Sequence, residues 1–154
     1  LVLAREGHRV SLVDRRKRRL EAATRALPES EVSTDPASFW KCDAVAEVTG
    51  HSEVLEALLG GVGVGRTVLL LGFPYGRLDL NPERVVAQDL SLLGSVGSGP
   101  ADFQEALELL PSLPLDEFLT STFPLESYED AWAAQEKGEV LKVMLDVSGE
   151  SEVR

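Results

Sequence analysis

The sequence is poor in the residues on which most active-site chemistry depends. Among 154 residues there are two histidines, one methionine and one cysteine. A lone thiol, Cys42, excludes an internal disulfide and fits a reducing, cytoplasmic setting. His8, His51 and Cys42 match no spacing that closes a zinc site, so no metal centre is expected within the chain. Positive charge is scarce as well: 15 basic against 26 acidic residues give a net charge of -11. That sign disfavours phosphate backbones and anionic lipid, so neither nucleic acid nor a membrane surface is expected as a partner. No apolar run approaches the roughly 18 residues that span a bilayer, and no secretory leader is visible. A phosphate-binding glycine loop is missing too. Gly61-Val62-Gly63-Val64-Gly65 has the glycines but follows a helix and precedes a strand, the reverse of the order such a loop needs. Finally, the opening LVLAREG reads as the last turns of a helix closed by Gly7, so upstream sequence is expected.

What is present is a steady alternation of strand and helix signals. Residues 8–13 form an apolar-rich strand ending at Asp14, and residues 15–27 a helix stopped by Pro28. A short strand is expected near 31–34 and a short helix from Asp35-Pro36 to Trp40. Residues 43–48 (DAVAEV) form a strand ended by Thr49-Gly50, and Ser52 caps the helix SEVLEALLG. Residues 66–71 (RTVLLL) are apolar without alternation, the mark of a strand buried on both faces of a parallel sheet. A loop at 72–76, a short helix from Asn81-Pro82, a strand at 90–95 and a helix at 101–110 follow. Residues 115–123 are less regular, 125–137 is a helix closed by Gly138, 140–147 is a last strand, and 148–154 is a flexible polar tail.

This order predicts an α/β fold built from βαβ units on a mostly parallel sheet. In such sheets ligands bind outside the carboxyl ends of the strands. The strand ends here are Asp14, Thr49-Gly50, Gly72-Phe73 and Ser95–Gly97, and three carry glycine, which lets a ligand approach the backbone. An acid at the position of Asp14 accepts hydrogen bonds from an adenosine ribose, and equally serves as a helix cap. The basic run Arg15, Arg16, Lys17, Arg18 and Arg19 lies at a helix N-terminus, where cations are disfavoured. It is either a solvated face or a contact for an adenosine phosphate. Asp14 would repel a 2′-phosphate, which favours NAD, while Arg15 and Arg16 keep NADP open. His51 is either a plain loop residue or a neighbour of a cofactor, and Lys142 either a surface lysine or a pyrophosphate contact.

Five segments together resemble the medium-chain zinc-type alcohol and polyol dehydrogenases: VSLVDRRKRRLEAA, DAVAEVTGHSEVLEALL, VGRTVLLLGFP, LSLLGSVGSGPADFQEALE and FPLESYEDAWAAQEKGEVLKVMLDV. The resemblance implies a partial Rossmann-type, doubly wound parallel sheet lacking its first strand and glycine-rich loop. It divides the chain into an incomplete dinucleotide-binding domain over 1–114 and a segment, 115–147, that in relatives packs partly on the catalytic domain. Asp14 and Arg19 would hold the adenosine ribose and flank the adenine, with Arg15 nearby. Val48, Thr49, Gly50 and His51 would line the middle of the cofactor. Leu71, Gly72 and Phe73 would present backbone groups to the nicotinamide carboxamide, and Ser95, Val96 and Gly97 would complete that pocket. Lys142 matches a basic position that contacts the pyrophosphate in relatives. Zinc ligands and the proton relay would belong to an upstream domain, and no catalytic residue is expected here. The strand at 90–95 would pair with its copy in a homodimer. The resemblance implies a portion of an NAD(H)-dependent alcohol dehydrogenase-like oxidoreductase that binds NAD weakly or not at all by itself. A zinc-free NADPH-dependent quinone reductase-like enzyme and an inert product that only self-associates are the alternatives.

Overall fold

Strands and helices alternate in the computed structural model as the sequence pattern predicts. It describes residues 1–73, 76–77, 79, 81–116, 118–119, 121–138 and 140–148. The expected tail beyond 148 and the loop positions 74 and 75 lie outside the described residues. In chain order the elements are α1 (Val2–Arg5), β1 (Ser11–Val13), α2 (Lys17–Ala26), β2 (Glu31–Ser33), β3 (Ala44–Glu47), α3 (Ser52–Gly61) and β4 (Thr67–Leu70). Then come α4 (Pro82–Ala87), β5 (Ser91–Gly94), α5 (Pro100–Leu109), β6 (Ser121–Pro124), α6 (Tyr128–Lys137) and β7 (Val143–Asp146). A 3-10 turn, Pro36–Lys41, leads into β3.

All strand pairing among the described residues is parallel, in three sheets: β1-β2, β3-β4-β5 and β6-β7. Among the described residues β1-β2 and β3-β4-β5 share no strand pairing. The core lies on one face of β3-β4-β5. Val45 and Val68 meet Leu55, Leu58, Leu59 and Val62 of α3 and its exit, with Leu90 closing the edge. The 3-10 turn packs on α3 through Trp40, whose indole occupies the space that a β-carbon on Gly61 would fill. Arg84 of α4 donates to the Gly60 carbonyl at 2.6 Å, satisfying an orphan acceptor at the end of α3.

Several details depart from the sequence reading. The strand at 66–71 is covered on one face only. Val68 is fully buried, but Ala46 and Leu93, which flank Leu69 in register, are exposed. No residue of α5 is buried, so that helix covers neither face. α2 begins at Lys17, which leaves Arg15 and Arg16 ahead of it. Asp14 explains the delay: its carboxylate accepts from the Arg16 amide at 2.8 Å and shapes the turn. α3 has His51 as N-cap, and Ser52 makes no capping hydrogen bond. Part of the stretch expected to be irregular is the strand β6, because its alternating side chains fit beside β7. Residues Leu125–Ser127 form a 3-10 turn ahead of α6. At the end of β7, the Ser148 hydroxyl and then its amide hold the Asp146 carboxyl below its ordinary range.

Candidate functional site

The parallel register brings three strand ends to one side of the β3-β4-β5 sheet, each followed by a turn. The residue that joins the first two is Glu47, at the end of β3. Its side chain points to the same face as Val45 and is 2% exposed. Burying a carboxylate costs several kcal/mol unless it is hydrogen-bonded. Here Oε1 accepts from the Thr49 amide at 2.7 Å and the Thr49 hydroxyl at 2.5 Å, while Oε2 accepts from the Gly50 amide at 3.1 Å. The Thr49 hydroxyl in turn accepts from the His51 amide at 3.2 Å, at the start of α3. The Glu47 carbonyl accepts from the amides of Leu71 at 2.8 Å and Gly72 at 3.0 Å, after β4.

Two glycines permit this closeness. A β-carbon on Gly72 would lie 2.2 Å from the Gly50 nitrogen and 2.5 Å from Glu47 Oε2. Gly50 has a φ of 71°, and a β-carbon there would lie 2.8 Å from the Phe73 nitrogen. The third turn joins through the Ser95 amide, which donates to the Leu70 carbonyl at 3.2 Å.

The structure therefore gathers Val48, Thr49, Gly50, His51, Leu71, Gly72, Phe73, Ser95, Val96 and Gly97 at one edge, as the sequence reading expects. It also restricts what they offer. The amides of Thr49, Gly50, His51, Leu71, Gly72 and Ser95 are engaged internally. Phe73, Val96 and Gly97 donate no backbone hydrogen bond among the described residues. The Val48 amide likewise donates none among the described residues, so a ligand meets those four amides, backbone carbonyls, and the exposed side chains of Val48, Phe73 and Val96. Donor amides beside carbonyls and an apolar rim suit a flat ring bearing a carboxamide.

Asp14 and Arg19 stand apart, at the end of β1, with Arg19 Nη1 3.7 Å from Asp14 Oδ2. An open groove of about 270 Å³ lies between α2 and β2, lined by Lys17, Leu20, Thr24 and Val32 among others. Arg15 is exposed. The guanidinium of Arg16 occupies the space of a β-carbon on Gly138, at the end of α6, where a cation meets the negative helix pole. Lys142 is exposed just before β7, without a hydrogen bond or ion pair among the described residues. A second groove, of about 310 Å³, lies between α1, the end of α2 and residues 112–114, away from all of these. Among the described residues no three His, Cys, Asp or Glu side chains are placed to hold a metal. No helix among them is long and apolar enough to cross a membrane.

Glu47 is the site residue the sequence reading missed. The signal was parity: in AVAE, Glu47 shares the buried face with Val45, and an acid on that face needs partners.

No family model matches the chain. Its relatives by sequence and by fold are alcohol, polyol and threonine dehydrogenases, and the fold they share with it is a Rossmann-type α/β fold. One is D-arabitol-phosphate dehydrogenase of Enterococcus avium, 22% identical over 96% of this chain and 43% of that protein. The structure of benzyl alcohol dehydrogenase from Acinetobacter calcoaceticus superposes with a TM-score of 0.77 at 21% identity, covering 91% of this chain and 43% of that one. A short chain alcohol dehydrogenase of Escherichia coli CFT073, solved with NADH, gives a TM-score of 0.74 at 19% identity, covering 89% of this chain and 44% of that one. The chain thus spans less than half the length of the relatives it matches.

Proposed function

We propose that the turns after β3, β4 and β5 receive the nicotinamide end of NAD(H), and that Asp14 receives its adenosine ribose, in an alcohol dehydrogenase-like oxidoreductase. The observation that carries this reading is the pairing of used and unused backbone groups. Among the described residues the amides of Thr49, Gly50, His51, Leu71 and Gly72 are satisfied within the two joined turns, leaving donors at Val48, Phe73, Val96 and Gly97. When bound, the nicotinamide ring supplies the hydride chemistry, and these residues bind and orient it. The acid at Asp14 and the placement of Arg16 on Gly138 favour NAD over NADP.

Binding by the chain alone is weak on this reading, because its glycines ahead of helices (Gly50 before α3, Gly97 and Gly99 before α5) do not form the G-x-G-x-x-G pattern of a pyrophosphate loop. Saturation-transfer NMR with NADH is expected to give a Kd on the order of 1 mM, or about 4 kcal/mol. Asp14→Ala should weaken it severalfold. No transfer at all, or an affinity indifferent to Asp14, contradicts the proposal.

Self-association through β5 is the second element of the reading. Among the described residues β5 pairs on one side only, with β4. Ser91 and Ser95 turn their amides inward to the carbonyls of Arg66 and Leu70, so Leu92 and Gly94 turn theirs outward. An unpaired edge of this kind accepts another strand. Light scattering at tens of micromolar is expected to show a dimer (concentration chosen for a weak edge contact, about 7 kcal/mol). Leu93→Lys, which puts a charge on the exposed face of that strand, should shift it to monomer. A monomeric wild type contradicts this part.

A further inference from the structure

We propose that Glu47 is a positioning residue, which sets the nicotinamide-facing turns as one unit. This rests on the dinucleotide reading above. Glu47 touches both turns by different atoms. Its carboxylate holds the amides of Thr49 and Gly50 and the Thr49 hydroxyl, and its carbonyl holds the amides of Leu71 and Gly72. The contact between the turns is backbone to backbone at Gly50 and Gly72, with Glu47 Oε2 against Gly72. A shift of the carboxylate therefore moves both turns.

The surroundings say why a carboxylate is needed. Val45, Leu55, Leu58 and Val68 fill the face that Glu47 shares, and an apolar side chain would pack there without desolvating a charge. Such a side chain would leave three donors of the turn after β3 (the Thr49 amide and hydroxyl and the Gly50 amide) without an acceptor. A glutamine does not replace it either. With its oxygen toward Thr49, its NH2 group faces the Gly50 amide, donor against donor. Turned the other way, it faces the Thr49 amide. Glu47 is too deeply buried to touch a ligand, so it acts through the turns.

The test uses the full chain carrying Glu47→Gln, with NAD and AMP as probes and amide hydrogen exchange as a second readout. The expected result is an approximately tenfold loss of NAD affinity, equivalent to about 1.4 kcal/mol, with AMP affinity unchanged because the adenosine side at Asp14 is left intact. Exchange should quicken at Thr49, Gly50, Leu71 and Gly72 while Val68 stays protected. If Glu47→Gln does not fold, Thr49→Val, which deletes the hydroxyl that donates to Glu47 and accepts from the His51 amide, carries the same comparison. Equal losses for NAD and AMP, no loss for either, or uniformly faster exchange overturns the proposal. A wild-type chain that binds neither probe overturns the dinucleotide reading instead. The exchange pattern then still decides whether Glu47 joins the two turns.

Discussion

Gly72→Ala is expected to destabilise the protein by about 3 kcal/mol, at the upper end for overpacking, whereas Gly94→Ala changes stability by less than about 0.5 kcal/mol. The methyl group on residue 72 would be 2.2 Å from the Gly50 nitrogen, 2.6 Å from its α-carbon and 2.5 Å from Glu47 Oε2. Two of those atoms are backbone, and the third is fixed by the hydrogen bonds of the 48–51 turn. None can give way without opening the turn. Gly94, at the end of β5, has open space where its β-carbon would lie. In a chain of this size the Gly72 change corresponds to a Tm lower by roughly 6–12 °C. Thermal unfolding of the two variants side by side checks it. A Gly72→Ala protein as stable as wild type would mean that the two turns are not in contact.

Leu58→Ala is expected to cost about 3–4 kcal/mol, within the range for emptying a buried leucine site, and Leu107→Ala almost nothing. Leu58 is 1% exposed on α3 and packs against Val45, Val68 and their neighbours. Leu107 is 62% exposed on α5, a helix with no buried residue. Both are leucines on amphipathic helices, and the sequence does not separate them. Urea unfolding does, and equal effects would contradict a core confined to the α3 face of the sheet.

That pair marks where reading the sequence succeeds and where it stops. The order of strands and helices was legible because glycine, proline and aspartate punctuate it, as at Asp35-Pro36, Asn81-Pro82 and Gly138. The strand ends were legible because parallel sheets place them on one side, which is where 48–51, 71–73 and 95–97 lie. Coverage of the sheet was not legible. RTVLLL carries no alternation, and a half-covered strand reads the same as a buried one unless the neighbouring helices are placed. β6 was missed because four residues ending in proline give little strand signal without their partner β7. Glu47 was missed because its partners lie in the turn beyond the strand, which strand alternation alone does not place. The delayed start of α2 came from a side chain accepting a backbone amide, which a helix pattern does not register.

The central claim is that these turns form one ligand-facing surface. Amide chemical-shift mapping during an NAD titration of the wild-type chain tests it most directly. The account predicts concerted shifts at Val48, Phe73, Val96 and Gly97, whose amides donate no backbone hydrogen bond among the described residues, with smaller shifts at Thr49–His51 and a separate set at Asp14. Shifts confined to the groove between α1 and residues 112–114, or none at millimolar NAD, would contradict it.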